Sequence, residues 1–373
     1  MFGNSWRLGR IAGVEVRIDT SWVVIALLVT YSLYLQFTEA FEALQPGIAV
    51  LLAAVFALLF FGSVLAHEMA HAVTARRRGI PVRGITLFLF GGATHAKVES
   101  RGPSEELVIS VVGPITSLAL GGLFLLVGFA GRDLLGRPLA GGLRYLGVVN
   151  IMLAVFNMLP GFPLDGGRVL RAIVWRITGS LRRATRVASI SGQVVGYLIV
   201  AVGVFFLTQG VLVTAIWLAS IGWFLAQAAR NSYEELQMRG MLEAVEAEDI
   251  MSPNLVSVPA DLPLRTAVDE FFMRYDHGAF PVQDDGRTVG LITLRGVKRV
   301  PQAEWAGRTV QDTMEPIGEQ CSVDASARMD VVLSRIQDGG TGRCLVLRDG
   351  EVVGIITPSD IARWLERRRA LRA

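Results

Sequence analysis

Leu65-Ala66-His67-Glu68-Met69-Ala70-His71 is the stretch on which the reading of this chain turns. It closes an apolar run that begins at Gly47, and a run of that length predicts a helix able to cross a bilayer. On a helix, residues i and i+4 share a face, so His67 and His71 project together. Two imidazoles at that spacing can hold one zinc ion at about 2.0–2.1 Å from each nitrogen. Glu68, beside the first histidine, is placed to take a proton from an attacking water. The chain has 4 histidines in 373 residues, so a chance H-E-x-x-H is improbable. A solvated helix face is the plainer reading of the motif. The apolar flank argues against it, because an ionisable group inside a bilayer costs about 2.5–3.5 kcal/mol on insertion scales and marks a functional site.

Composition extends this outward. Apolar residues make up 52% of the chain and charged residues 18%, below the roughly 25% of a soluble domain, and mean hydropathy is +0.47. Six apolar runs predict six spans, near 21–37, 47–75, 107–130, 143–159, 187–207 and 211–228. The net charge of +3 reflects arginines at membrane borders rather than a nucleic-acid surface. Cys321 and Cys344 form no C-x-x-C and read as reduced core thiols. The N-terminus shows no cleavable signal pattern.

The segments between spans carry their own signals. Val14-Glu15-Val16-Arg17-Ile18-Asp19 alternates as a strand does, and Ile85-Thr86-Leu87-Phe88-Leu89-Phe90 is β-branched and aromatic. The region 82–98 therefore predicts a hairpin or small sheet beside the histidine helix. Its edge could receive an extended peptide by strand addition, or the hairpin could be purely structural. Gly113, Ser117 and Gly121 form a small-residue stripe for close helix contact, as do Gly192 and Gly196. The fourth span ends in Asn157-Met158-Leu159-Pro160-Gly161-Phe162-Pro163-Leu164-Asp165-Gly166-Gly167, which cannot continue a helix. Broken backbone at membrane depth is tolerated where it lines a cavity or is buried in protein. Asp165 is thus the best candidate for a third zinc ligand, with capping of the following helix, 168–177, as its alternative role. Arg168, Arg171, Arg176, Arg182, Arg183 and Arg186 read as a basic face toward lipid headgroups. With six spans, most arginines fall on one side, which places both termini in the cytoplasm.

From Glu243 the composition turns soluble and repeats itself. Glu248-Asp249-Ile250-Met251-Ser252-Pro253 matches Gln311-Asp312-Thr313-Met314-Glu315-Pro316, and Val289-Gly290-Leu291-Ile292-Thr293 matches Val353-Gly354-Ile355-Ile356-Thr357. Each unit reads strand, helix, strand, strand, helix. The expected fold is a polytopic α-helical membrane protein with a small membrane-associated β-sheet, followed by a soluble α/β module. The expected divisions are 1–230 for the membrane domain, 231–244 for a linker, and 245–305 and 306–369 for the repeats.

Residues 5–228 resemble the site-2 protease family of intramembrane zinc metalloproteases. The match rests on His67-Glu68-x-x-His71, on Gly113-Pro114, and on Asn157-x-x-Pro160-x-x-Pro163-Leu164-Asp165-Gly166-Gly167. The resemblance implies one zinc ion held by His67, His71 and Asp165, and Glu68 as catalytic base. It implies that Asn157 orients the substrate backbone or stabilises the oxyanion, and it gives His95 no role. Residues 245–368 look like a tandem pair of cystathionine-β-synthase (CBS) domains, a Bateman module. Such pairs commonly bind adenine nucleotides, here ATP, ADP or AMP, and can mediate a homodimer. The family's ribose-contacting carboxylate falls at Asp360, with Thr357 beside it, whereas the first repeat has Gly296 in that place. The expected activity is cleavage of peptide bonds in or near transmembrane helices of substrate proteins, regulated by nucleotide at the CBS pair. A CBS-gated transporter and a proteolytically inactive scaffold are the rivals. The absence of an inverted repeat argues against the first, and the complete set of chemical residues against the second.

Overall fold

The computed structural model describes residues 5–88, 91–96, 100–242, 245–253, 255–275, 277–317, 322–338 and 342–371. The chain forms two compact units, Met1–Glu234 and Glu235–Ala373.

In the first unit, β1 (Ser5–Ile11) and β2 (Val14–Asp19) form an antiparallel hairpin. The hairpin turns at Ala12 and Gly13, both with positive φ. Asp19 caps α1 (Thr20–Ala40) by accepting from the Ser21 N–H at 2.9 Å, a favoured N-terminal arrangement. α2 (Pro46–Arg77) starts with Pro46 in its first turn and ends on Arg76 and Arg77, which suit the negative end of the helix dipole. β3 (Val82–Phe88) and β4 (Gly91–Ala96) form the expected hairpin. It belongs to a four-stranded sheet in the order β1-β2-β3-β4. The β2–β3 pairing is parallel, with Glu15 opposite Gly84 and Ile18 opposite Leu87. A parallel pair needs a long crossover, which α1 and α2 supply. Phe88 pairs with Gly91; Leu89 and Phe90 lie outside the described residues.

α3 (Pro103–Ala130), the short α4 (Arg132–Leu135), α5 (Arg137–Asn157), α6 (Asp165–Thr178), α7 (Leu181–Thr208) and α8 (Leu212–Leu242) complete the unit and lead into the next. Six of these helices, α1, α2, α3, α5, α7 and α8, are long and apolar enough to cross a membrane. Two boundaries differ from hydropathy. α5 begins at Arg137 because Pro138 sits in its first turn, where a missing N–H costs nothing. α8 continues past the apolar run because its polar extension carries i,i+4 pairs such as Arg230 Nε to Glu234 Oε1 at 3.0 Å. The small residues work as contact points. A Cβ on Gly121 would lie 2.9 Å from the Gly147 carbonyl of α5, and one on Gly196 would lie 2.6 Å from the Gly222 carbonyl of α8. Gly192 faces a turn instead: its Cβ would lie 2.1 Å from the Phe162 carbonyl.

The second unit holds α9 (Ala247–Ile250) and then the two repeats. The first comprises β5 (Val258–Pro259), α10 (Leu264–Ala267) running into a π-helical turn at Val268–Phe272, β6 (Ala279–Asp284), β7 (Arg287–Thr293) and α11 (Leu294–Lys298). After β8 (Glu315–Pro316) the second follows: β9 (Ser322–Asp324), α12 (Met329–Asp338), β10 (Cys344–Arg348), β11 (Glu351–Ile356) and α13 (Pro358–Ala370). This is the strand, helix, strand, strand, helix order expected for each. The repeats exchange their leading segments. Ser252, at the start of the first repeat, bonds both ways with Ile355 of β11, and β8, at the start of the second, pairs with β7. The two matched motifs thus meet crosswise: a Cβ on Gly354 would strike Met251 Sδ at 2.4 Å, and one on Gly290 would strike Met314 Sδ at 2.7 Å. Each repeat keeps its own core, one around Val258, Phe280 and Ile292, the other around Val323, Met329 and Val346. Cys344 is buried, and its thiol faces the Val332 carbonyl at 3.9 Å; Cys321 lies outside the described residues.

Candidate metal centre

Residues on α2, 98 and 94 positions from Asp165, meet that aspartate at the first residue of α6. Asp165 Oδ2 lies 3.1 Å from His67 Nε2 and 3.2 Å from His71 Nε2, and the two Nε2 atoms are 3.2 Å apart. Both histidines are buried. The capping role weighed for Asp165 is not what the structure shows: Asp165 is already helical, Leu164 occupies the cap position, and no side-chain cap bond is made. The carboxylate is turned to the imidazoles instead.

α3 settles which nitrogen of each ring faces the aspartate. His71 Nδ1 lies 2.6 Å from the Ile109 carbonyl. A carbonyl only accepts, so Nδ1 carries the hydrogen and the neutral ring keeps its lone pair at Nε2. His67 Nδ1 lies 2.9 Å from Ser117 Oγ, again leaving Nε2 toward Asp165. Gly113, between these two contacts, lets α3 approach: its Cβ would fall 2.1 Å from His71 Nε2 and 2.7 Å from His67 Nε2. Two imidazole lone pairs and a carboxylate oxygen in mutual contact repel one another unless a proton or a metal cation lies among them. Zinc bonds of about 2.0–2.1 Å at tetrahedral angles put ligand atoms about 3.3–3.4 Å apart, close to the separations here. The donor set, His₂ and one carboxylate, is one that catalytic zinc sites use.

The turn 158–164 that presents Asp165 is held by α7 and by the first turn of α6. The Phe162 N–H donates to the Ala188 carbonyl of α7 at 3.1 Å. A Cβ on Gly166 would lie 2.3 Å from the Met158 carbonyl, and one on Gly167 would lie 2.3 Å from the Gly161 carbonyl carbon. Ser191 of α7 donates its hydroxyl to the Pro160 carbonyl.

With this geometry in view, comparison with known proteins decides the family. A model of peptidase family M50 matches residues 55–132 and 135–203, and a CBS-domain model matches 247–302 and 314–367. A Synechocystis protein assigned as a zinc metalloprotease is 35% identical over 371 residues, covering 97% of this chain and 96% of its own. The chain belongs to peptidase family M50, the site-2 protease family. Rip3 of Mycobacterium tuberculosis, also assigned as a zinc metalloprotease, is 36% identical over 363 residues, covering 96% of this chain and 92% of its own. The solved site-2 protease from Methanocaldococcus jannaschii aligns with 62% of this chain and 95% of its own at 27% identity and a TM-score of 0.45. This M50 member is therefore a multi-pass membrane zinc metalloprotease with a CBS pair.

The other expected site residues fall in different places. Glu68 is half-buried on α2, one residue after His67. Asn157 is the last residue of α5 and half-buried. Among the described residues it makes no hydrogen bond to the three clustered side chains. His95 lies on β4 opposite Gly84, and its side chain is outside the described residues. In the CBS unit, Asp360 Oδ2 accepts from the Thr357 N–H at 2.8 Å and from its hydroxyl at 2.6 Å, while Oδ1 accepts from Ser252 Oγ at 2.9 Å and pairs with Arg363. Burial pushes the Asp360 carboxyl up, but the hydrogen bonds from Thr357, Ser252 and Arg363 outweigh it and hold it below its ordinary value. In the first repeat, Thr293 Oγ1 accepts from the Gly296 N–H at 3.0 Å, with no carboxylate in the matching position.

Sequence reasoning missed the α3 partners of the histidines, Ser117 and the Ile109 carbonyl; it saw Gly113 and Ser117 only as packing residues. It also put Arg171 on a lipid-facing surface. The structure corrects this: Arg171 is buried against Glu106.

Proposed function

We propose that this M50 protease binds one zinc ion through His67, His71 and Asp165 and cleaves peptide bonds in or near transmembrane helices of substrate proteins. The approach of the three donor atoms within 3.2 Å, from elements far apart in sequence, carries the reading. Zinc supplies Lewis acidity, which polarises a scissile carbonyl and acidifies the attacking water. Glu68 takes the proton from that water and passes it to the leaving amine. The Asn157 amide orients the substrate backbone or donates to the developing oxyanion. A helical substrate must unwind first, because its carbonyls are hydrogen-bonded within the helix. The unwound segment adds to β4, which ends the sheet order. The arginine distribution supports a topology with both termini and the CBS unit in the cytoplasm. ATP, ADP or AMP bound near Thr357 and Asp360 regulates the protease, and the CBS pair supplies the surface of a homodimer.

Glu68→Gln tests the mechanism. It should keep stoichiometric zinc in the purified protein and abolish cleavage of co-expressed single-span membrane proteins that the wild type cuts. Undiminished cleavage by this variant would remove Glu68 from the mechanism.

A further inference from the structure

The first turn of α3 and the middle of α6 are joined by a buried ion pair. Arg171 Nε donates to Glu106 Oε1 at 2.6 Å, and Nη2 meets the same oxygen. Glu106 is 1% exposed and Arg171 7%. The second carboxylate oxygen, Oε2, is buried and has no hydrogen-bond partner among the described residues. The guanidinium also sits 5.1 Å over the Phe162 ring, in the turn that presents Asp165.

Such a pair is a poor source of net stability, because the cost of taking both charges out of water offsets their attraction. It does impose a fixed geometry. Glu106, Ile109, Gly113 and Ser117 follow i, i+3, i+7, i+11 and form one stripe of α3. The last three hold the histidines: Ile109 through His71 Nδ1, Ser117 through His67 Nδ1, and Gly113 by yielding space. Glu106 holds α6. One face of α3 is therefore the common reference for the imidazoles and for the helix that begins with Asp165. Arg171 is the α6 side chain that meets this face in a buried ion pair, and it lies about 9 Å along the helix axis from Asp165 at 1.5 Å per residue.

We infer that Glu106 and Arg171 are positioning residues that hold Asp165 Oδ2 against the two Nε2 atoms and thereby set the zinc affinity of the site. The inference rests on the zinc reading above. It assigns a role in the metal site to two charges that touch neither metal nor substrate.

The test is zinc affinity, by chelator competition on the purified full-length chain, well below its unfolding temperature. Glu106→Gln and Arg171→Met each leave one buried charge unpaired, so both should also lower the unfolding temperature. The double variant Glu106→Gln/Arg171→Met removes both charges and should recover stability in the zinc-free state. Its zinc affinity should remain about 10–100-fold below wild type, the range for losing an outer-shell partner. The rise in unfolding temperature on adding zinc should shrink accordingly, and kcat should fall more than KM rises. A double variant with zinc affinity within about twofold of wild type would overturn the inference. His67→Ala is the control. If it loses zinc while the double variant keeps wild-type affinity, only the positioning role fails; if it retains stoichiometric zinc, the zinc reading fails and the positioning role with it.

Discussion

Gly113 and His71 lay claim to the same space: a Cβ on the glycine would lie 2.1 Å from Nε2 of the histidine, and 2.6 Å from Cε1. Neither a helix backbone nor a buried imidazole can yield that much without moving the His71 nitrogen that faces Asp165. Gly113→Ala should therefore reduce proteolysis at least about 100-fold, the cost of an ångström-scale misplacement at a reacting centre. Gly122→Ala, on the same helix with open space around its Cβ, should leave cleavage unchanged. Comparing both variants in one cleavage assay separates a local clash from a general effect of alanine on α3.

Ser117 Oγ is the sole partner found for His67 Nδ1 among the described residues. Ser117→Ala leaves the His67 imidazole in place and removes the hydroxyl that orients it. Zinc affinity should drop about 10-fold and at most about 100-fold. Ser117→Thr, which keeps the hydroxyl, should lie closer to wild type in the same chelator titration.

Gly192 of α7 backs the turn that presents Asp165, and its Cβ would lie 2.1 Å from the Phe162 carbonyl. Gly192→Val should displace that turn and lower zinc occupancy, measured by metal analysis after gel filtration. Gly196→Ala, which crowds α8 at 2.6 Å rather than the turn, should destabilise the helix pair with a smaller effect on zinc.

Asp360 links pH to the stability of the second CBS repeat. Its carboxyl is held below the ordinary value of 3.8 in the folded state. A depressed folded pKa means the unfolded chain binds the proton more readily, so the stabilisation is complete above about pH 4 and is lost as pH falls through the folded value. Asp360→Asn should cost about 2 kcal/mol near pH 7, the scale of hydrogen bonds to a charged acceptor. It should also flatten the acid limb. Urea-dependent hydrogen exchange on peptides spanning 344–371, compared near pH 3 and pH 7, reads both effects.

The same residue tests regulation. If adenine nucleotide acts through the second repeat, ATP or AMP should alter the wild-type cleavage rate and leave Asp360→Asn unaffected, since coupling requires unequal affinity for two states. Confirmed nucleotide binding with an unchanged wild-type rate would end the regulatory reading.

Local pattern was enough for much of this architecture. Hydropathy located the six long apolar helices found among the described residues, because apolar length is a property of the segment alone. The i,i+4 spacing put His67 and His71 on one face because helix geometry admits nothing else. Proline and glycine density broke the chain before Asp165, and the doubled motifs announced two repeats. The contacts between segments were not readable this way. Nothing in the alternation of Val14–Asp19 says that it pairs in parallel with a strand beyond two helices. Nothing in Arg171 distinguishes it from Arg168 or Arg176 until α6 packs its side chain against Glu106. The matched CBS motifs did not reveal that Met251 meets Gly354 and Met314 meets Gly290 across the repeats. Helix and strand periods are set by neighbours along the chain. A metal-ready cluster and a buried ion pair are set by which faces pack together, and that is a free-energy choice made by the whole unit.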